Sequence, residues 1–187
     1  HEALLIPPPS GGILPLRRAI AKHLLSFRGM HVAPEQIIIG AGTEYLYELL
    51  IQLLGRDKVV GLENPGYNKI SQIYKCNGVQ RCYIRLNADG LDIGQLEETN
   101  TDIVHLSPSH HYPTGIVTPI SRRYELLGWA SKKEDRYIIE DDYDCEFRLQ
   151  GKPIPALQSI DVSEKVIYMN TFTKSLASTI RISYMVL

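Results

Sequence analysis

The chain has 187 residues, 44% of them hydrophobic and 22% charged, with a formal net charge of −1. That length supports one domain with a core of its own and no disulfide or metal staples, and the near-neutral balance leaves no electrostatic footprint for nucleic acid in this stretch. No apolar run approaches the ~18 residues of a membrane span, and His1-Glu2-Ala3 lacks the basic and apolar regions of a signal peptide.

Pro7-Pro8-Pro9-Ser10-Gly11-Gly12 cannot be helix interior. From Leu14 to Phe27 the residues Leu16, Ile20, Leu24 and Phe27 recur at helical spacing, with Arg17, Arg18 and Lys22 on a solvated face. Ile37-Ile38-Ile39 reads as a short buried strand, and Gly40-Ala41-Gly42-Thr43 opens a helix from Glu44 to Leu54. Glycines at a strand-to-helix turn let backbone approach a ligand, and a helix N-terminus suits an anion such as phosphate. The third glycine of the dinucleotide pattern is missing, and Thr43 alone would serve equally as a helix cap.

A strand from Lys58 to Leu62 ends in Glu63-Asn64-Pro65-Gly66-Tyr67. This turn sets an aromatic where it can stack on a flat ring or cap the following helix, Ile70 to Tyr74. Val79 to Ile84 is a strand, Asn87 to Asp92 a turn, and a short polar helix runs to Thr99; none of these carries visible chemistry. The strand Asp102 to Leu106 enters Ser107-Pro108-Ser109-His110-His111-Tyr112-Pro113-Thr114-Gly115. Adjacent histidines diverge, and no Cys or carboxylate lies nearby in sequence, which argues against a metal site. The helix Pro119 to Lys133 turns Ile120, Leu126, Leu127 and Ala130 inward and packs Trp129 on the sheet, leaving Arg122 and Arg123 to solvent or a dimer contact.

The chemistry concentrates further on. Tyr137-Ile138-Ile139-Glu140 is a buried strand that stops in Asp141-Asp142-Tyr143. Alternation puts Asp141 and Tyr143 on one side and Asp142 on the other, so Asp142, Asp144 and Glu146 are solvated or structural. Cys145 follows directly and reads as a half-buried filler. With Cys76 and Cys82 it makes an odd count without metal-ligand spacing, which fits a reducing, cytoplasmic compartment. A loop with one helical turn runs from Pro153 and Pro155 to Ser163. The strand Lys165 to Met169 then delivers Thr171, Thr173 and Lys174, and a last strand spans Arg181 to Leu187. Strands alternating with helices imply a mostly parallel α/β sheet, whose ligands gather beyond the carboxyl ends of the strands. Two such ends offer an acid, a phenol and an amine to one crevice.

Five phrases in order carry a family resemblance: Ile37 to Thr43, Glu63 to Tyr67, Ser107 to Gly115, Ile139 to Asp144, and Thr171 to Leu176 with Arg181-Ile182-Ser183-Tyr184. The chain resembles the large domain of the fold-type-I aminotransferase superfamily. More narrowly, it is similar to the effector domain of MocR/GabR-like regulators of the GntR family. The resemblance implies a three-layer α/β/α domain, here residues 1–187, with a seven-stranded sheet whose last strand is antiparallel. It implies pyridoxal 5'-phosphate as cofactor, bound as a Schiff base to Lys174. Gly42, Thr43, Thr171, Thr173 and Arg181 then hold the phosphate, Tyr67 covers the ring, Asp141 meets the pyridine nitrogen and Tyr143 the phenolic oxygen.

Departures from the wider superfamily follow the MocR style. Tyr112 stands where most aminotransferases have asparagine, His110 is the MocR-type histidine near the cofactor, and the tyrosine comes two residues after Asp141 instead of three. Lys69 takes the place of an arginine that in close relatives helps hold a substrate carboxylate, and lysine is a point charge, not a fork. Ser178-Thr179 replaces a frequent Pro-Gly. By resemblance, the function is sensing of an amino compound through exchange at Lys174, in a homodimer that reaches DNA only through a winged-helix domain preceding His1. A small C-terminal domain would follow Leu187, so the chain reads as a fragment. The alternative is a catalytic class I/II aminotransferase that moves an amino group from an amino acid to a 2-oxo acid.

Overall fold

The structure is a computed structural model that describes residues 7–144, 146, 154–177 and 179–187. The readings made above on His1 to Ala3, Cys145, Pro153 and Ser178 lie outside these residues. Among the described residues, eight strands form one sheet: β1 (Ile37–Gly40), β2 (Val59–Asn64), β3 (Gln80–Asn87), β4 (Gly90–Leu91), β5 (Ile103–Leu106), β6 (Tyr137–Asp141), β7 (Val166–Thr171) and β8 (Ser183–Val186). Their order is β1-β8-β7-β6-β5-β2-β3-β4. The run from β7 to β3 is parallel, and β8 lies antiparallel between β1 and β7. The expected seven strands are present. The eighth, β4, is a two-residue return of the turn after β3, pairing Leu91 with Leu86 and Gly90 with Asn87, and is too short to read from a sequence pattern.

Helices α1 (Leu14–Arg28), α2 (Thr43–Leu54), α3 (Asn68–Cys76), α4 (Ile93–Glu98), α5 (Ile120–Ser131) and α6 (Leu157–Ile160) cover both faces. Strand alternation sorts the core. Val60, Leu62, Ile103, Ile139, Ile167, Met169 and Met185 turn to the face covered by α2 and α3. Val104, Leu106, Ile138 and Val166 turn to the face of α4, α5 and α6, where Trp129 is packed as expected. Helix α1 seals the β1–β8 end of that second face through Ile20 and Leu24 against Ile37, Tyr168, Tyr184 and Val186.

Three readings of charge and burial are corrected. Phe27 is 47% exposed and stacks on His23 at 5.1 Å; the buried stripe of α1 continues at i+4 to Arg28. Arg123 faces neither solvent nor a partner: it is fully buried, donating to the carbonyls of Thr118 (3.0 Å), Pro155 (2.9 Å) and Pro108 (2.8 Å), with Glu140 at 3.6 Å. Arg17, also assigned to the solvated face, folds back onto Gly12 O and Pro34 O. Sequence period alone cannot reveal this, because a guanidinium tolerates burial where its donors meet carbonyls or acids.

Candidate cofactor site

The carboxyl ends of β1, β2, β5, β6 and β7 surround a cavity of about 690 Å³. At its β1 end, Gly42 caps α2 with φ of 109°. A Cβ at Gly42 would stand 2.6 Å from the Arg181 guanidinium, so glycine there admits a cation against the start of a helix. Thr43 opens α2 and lines the cavity with Arg181. Backbone amides, a helix N-terminus and a guanidinium together suit a phosphate.

At the centre, Asp141 ends β6 and is 6% exposed. Its Oδ2 accepts from the Tyr47 hydroxyl at 2.6 Å and lies 3.8 Å from His105 Nε2, while Oδ1 is buried without a hydrogen-bond partner. A bare buried carboxylate oxygen is costly unless a ligand satisfies it. Behind it, Tyr74 OH lies 3.0 Å from His105 Nδ1. Burial, reinforced by the charge of Asp141, holds the phenols of Tyr47 and Tyr74 above their usual range, so both stay protonated and can donate. Alternation works as read: Tyr143 joins Asp141 in the cavity, while Asp142 turns to the other face and is buried against Arg28.

Tyr143 donates to the His110 carbonyl at 2.9 Å and stacks near the His110 ring at 6.3 Å. Burial, then the charge of Asp144, pushes its phenol up to about 12. His110 does not line the cavity; its ring bonds Asp144 and buttresses Tyr143. Lys174 lies on the turn after β7, its Nζ 4.3 Å from the Tyr143 ring centroid. Thr171 and Thr173 line the same wall and are joined at 2.9 Å, with Ser183 donating to Thr171. Tyr67 and Tyr112 meet edge to face at 5.9 Å over the mouth. Lys69 lines the outer wall, paired with Glu44, whose hydrogen bond raises the lysine above its ordinary range. Among the described residues, no group of three or more His, Cys, Asp or Glu side chains is arranged to hold a metal ion.

Five participants escaped the sequence reading: Tyr47, His105, Glu63, Glu44 and Ser183. Tyr47 had a signal, standing one helical turn after Thr43 on the same face. So did His105, a titratable residue in an otherwise apolar strand. Glu63 had none, because its role depends on loops that meet only in the fold. Its Oε2 accepts from Ser107 N at 3.0 Å and lies 3.5 Å from His111 Nε2.

Burial, with a further push from Asp141, raises Glu63 to about 8. Between its ordinary value of 4.5 and about 8, the native protein holds a proton that the unfolded chain lacks. Stability therefore falls as pH rises through that window, with a limiting slope of about 1.4 kcal/mol per pH unit. Glu63→Gln is expected to flatten the thermal-stability profile between pH 5 and 8. Parallel profiles for variant and wild type would show that Glu63 carries no such proton.

Residues 2–187 match the family described as aminotransferase class I and II. The chain belongs to that family. It is 42% identical over 176 residues to an uncharacterized HTH-type transcriptional regulator of Bacillus subtilis, YdeL, covering 94% of this chain and 38% of that one. It is 33% identical over 172 residues to the probable rhizopine catabolism regulatory protein MocR of Rhizobium meliloti, covering 91% and 35%. The chain thus spans well under half the length of these curated relatives. Among solved structures it resembles an archaeal alanine:glyoxylate aminotransferase with a TM-score of 0.88 and 28% identity, over 97% of this chain and 47% of that one. A kynurenine aminotransferase of Pyrococcus horikoshii superposes with a TM-score of 0.85 and 29% identity, over 95% and 46%. This aminotransferase domain has the donor set that pyridoxal phosphate needs: an anion cradle, a bare buried carboxylate oxygen and an amine facing one space.

Proposed function

We propose that this chain is the pyridoxal phosphate-binding effector domain of a MocR-type transcriptional regulator, which senses a small amino compound at Lys174. The observation that carries the reading is the convergence on one cavity of Lys174, the unpartnered Oδ1 of Asp141, and Arg181 set against Gly42. When bound, pyridoxal phosphate supplies an aldehyde that condenses with amines and a ring that withdraws electrons.

The residues divide the work. Gly42, Thr43 and Arg181 hold the phosphate, with Thr171 and Thr173 beside it. Asp141 accepts the pyridinium N–H at Oδ1, while Tyr47 and His105 fix its other oxygen. Tyr143 would turn its hydroxyl to the phenolic oxygen by leaving the His110 carbonyl. Tyr67 would cover the ring, Tyr112 closes the mouth with it, and the His110 ring stacks on Tyr143 from behind. Lys174 would supply the amine for that condensation, and an incoming amine would compete with it for the aldehyde. Lys69 holds an anionic group of the ligand only by leaving Glu44.

A ligand resets the protein only if it binds two states differently. The output, DNA binding by a winged helix, belongs to the longer protein, together with the small domain, dimerisation and a cytoplasmic setting. The sequence relatives described as transcriptional regulators favour this reading. The solved structures, which are aminotransferases, favour a second one, amino-group transfer from an amino acid to a 2-oxo acid.

The test adds pyridoxal phosphate, reduces with borohydride and maps the added mass by peptide digestion, then repeats the reduction after a panel of amino acids and amines. Mass on Lys174 that one compound lowers, without 2-oxo acid appearing, is the expected result. Sustained 2-oxo acid formation would make the domain a catalyst. No added mass would overturn both readings.

A further inference from the structure

The face of the sheet opposite the cavity holds a buried polar cluster that the cofactor site does not use. Strand β6 alternates two kinds of acid. Asp141 faces the cavity, and its neighbours Glu140 and Asp142 face inward on the other side, each beside a buried arginine. Arg123 acts within that layer. Arg28 reaches it from a distance, as the last residue of α1. Its Nη2 lies 2.7 Å from Asp142 Oδ2 and donates to Ser109 Oγ at 3.0 Å, with the arginine and aspartate side chains 1% and 0% exposed. Asp142 Oδ2 also accepts from the Tyr168 hydroxyl at 2.8 Å.

The two ends of this tie matter because of their sequence neighbours. Asp142 lies between Asp141 and Tyr143, and Ser109 directly precedes His110. We propose that Arg28 is a positioning residue for the cofactor site: by tying Asp142 to Ser109 it fixes the strand end bearing Asp141 and Tyr143 against the loop bearing His110 and Tyr112. On the cavity side the same two segments meet through Tyr143 and the His110 carbonyl. The joint is therefore held from both faces, and the rear clasp comes from a helix that supplies nothing to the cavity wall.

Stability alone gives little reason for a charge pair here. Burying two ions costs nearly as much as their attraction returns, and apolar side chains of like volume hold a helix to a sheet as well. Packing of α1 is already supplied by Ile20 and Leu24. What the ion pair adds is direction, because one guanidinium nitrogen must meet two acceptors on separate segments.

The inference rests on the pyridoxal phosphate reading for its functional consequence, so the test has one arm without cofactor. Arg28→Met keeps the length and apolar stem of the side chain; Leu24→Ala loosens the same helix without touching Asp142 or Ser109. Thermal stability is expected to fall in both. Amide hydrogen exchange of the cofactor-free protein is expected to rise about tenfold or more in segments 107–118 and 140–144 for Arg28→Met only, the size set by loss of a charged hydrogen bond. The apparent Kd for pyridoxal phosphate is expected to weaken by a similar factor in Arg28→Met and to stay near wild type in Leu24→Ala.

Equal exchange profiles for the two variants, or an unchanged Kd in Arg28→Met, would overturn the inference. If Arg28→Met does not fold, Ser109→Ala removes the loop end of the tie, together with the serine's own hydrogen bond to Asp142, and must give the same rise in segment 107–118. If the wild type takes up no pyridoxal phosphate, the proposed function falls, and the exchange arm still decides whether the tie exists.

Discussion

Lys174→Ala is expected to leave the protein folded and unable to acquire borohydride-stable pyridoxal phosphate. The side chain is exposed on the turn after β7, with its Nζ 4.3 Å from the centroid of the Tyr143 ring. Removing an exposed side chain outside buried networks shifts Tm by no more than about 2 °C, so loss of the adduct cannot be blamed on unfolding. Non-covalent affinity is expected to fall only in part, because the cradle of Gly42, Thr43 and Arg181 remains. Among the described residues, the cavity holds one other primary amine, on Lys69. Its hydrogen bond to Glu44 keeps it protonated, and an ammonium has no lone pair to attack an aldehyde. Lys174→Arg separates charge from nucleophilicity: it retains a cation over the Tyr143 ring and is expected to be equally blank after reduction. An adduct that survives in Lys174→Ala, or moves to Lys69, would end the assignment of Lys174.

The largest stability effect is expected at Arg123. Alanine there removes the donors to three loop carbonyls and leaves Glu140 buried, still accepting from the backbone N–H groups of Leu157 and Gln158 at 2.9 and 3.0 Å. Breaking a buried pair by deleting one partner costs about 3–5 kcal/mol. For a domain of this size that lowers Tm by about 6–20 °C. The deficit should depend on pH with a definite sign. Burial already raises Glu140 above the usual carboxylate range. Without Arg123 it rises further, so the folded variant holds that proton to higher pH than wild type. Its stability is then lost over a wider span as pH rises, and the gap to wild type narrows toward pH 5. Differential scanning fluorimetry at pH 5 and 8 checks both size and sign. A shift under about 2 °C, as for an exposed arginine, would contradict the buried role.

Much of the fold was legible because it rests on local rules. Short apolar runs bounded by Gly, Pro and Asn marked the strands, helical periods marked α1, α2 and α5, and strand alternation alone separated Asp141 and Tyr143 from Asp142. The line of acid, glycine turn, amine and arginine at strand ends pointed to one crevice, which the fold forms. Three things needed tertiary structure, each for a physical reason. Arg17 read as a solvated charge and Arg123 as a solvent or dimer contact, because whether a guanidinium meets water or buried oxygens depends on segments far away in the chain. Tyr47 and His105 share Asp141 although they stand 94 and 36 positions before it in sequence, and no local period encodes such a meeting. The pairing of Lys69 with Glu44 arises because α2 and α3 start side by side, so the free charge visible in the sequence is already engaged in the fold. The sequence by itself determined which groups the domain owns and on which face of each strand they stand. Tertiary structure decided which of them remain uncommitted, because a polar group's availability is set by the partners that packing brings to it.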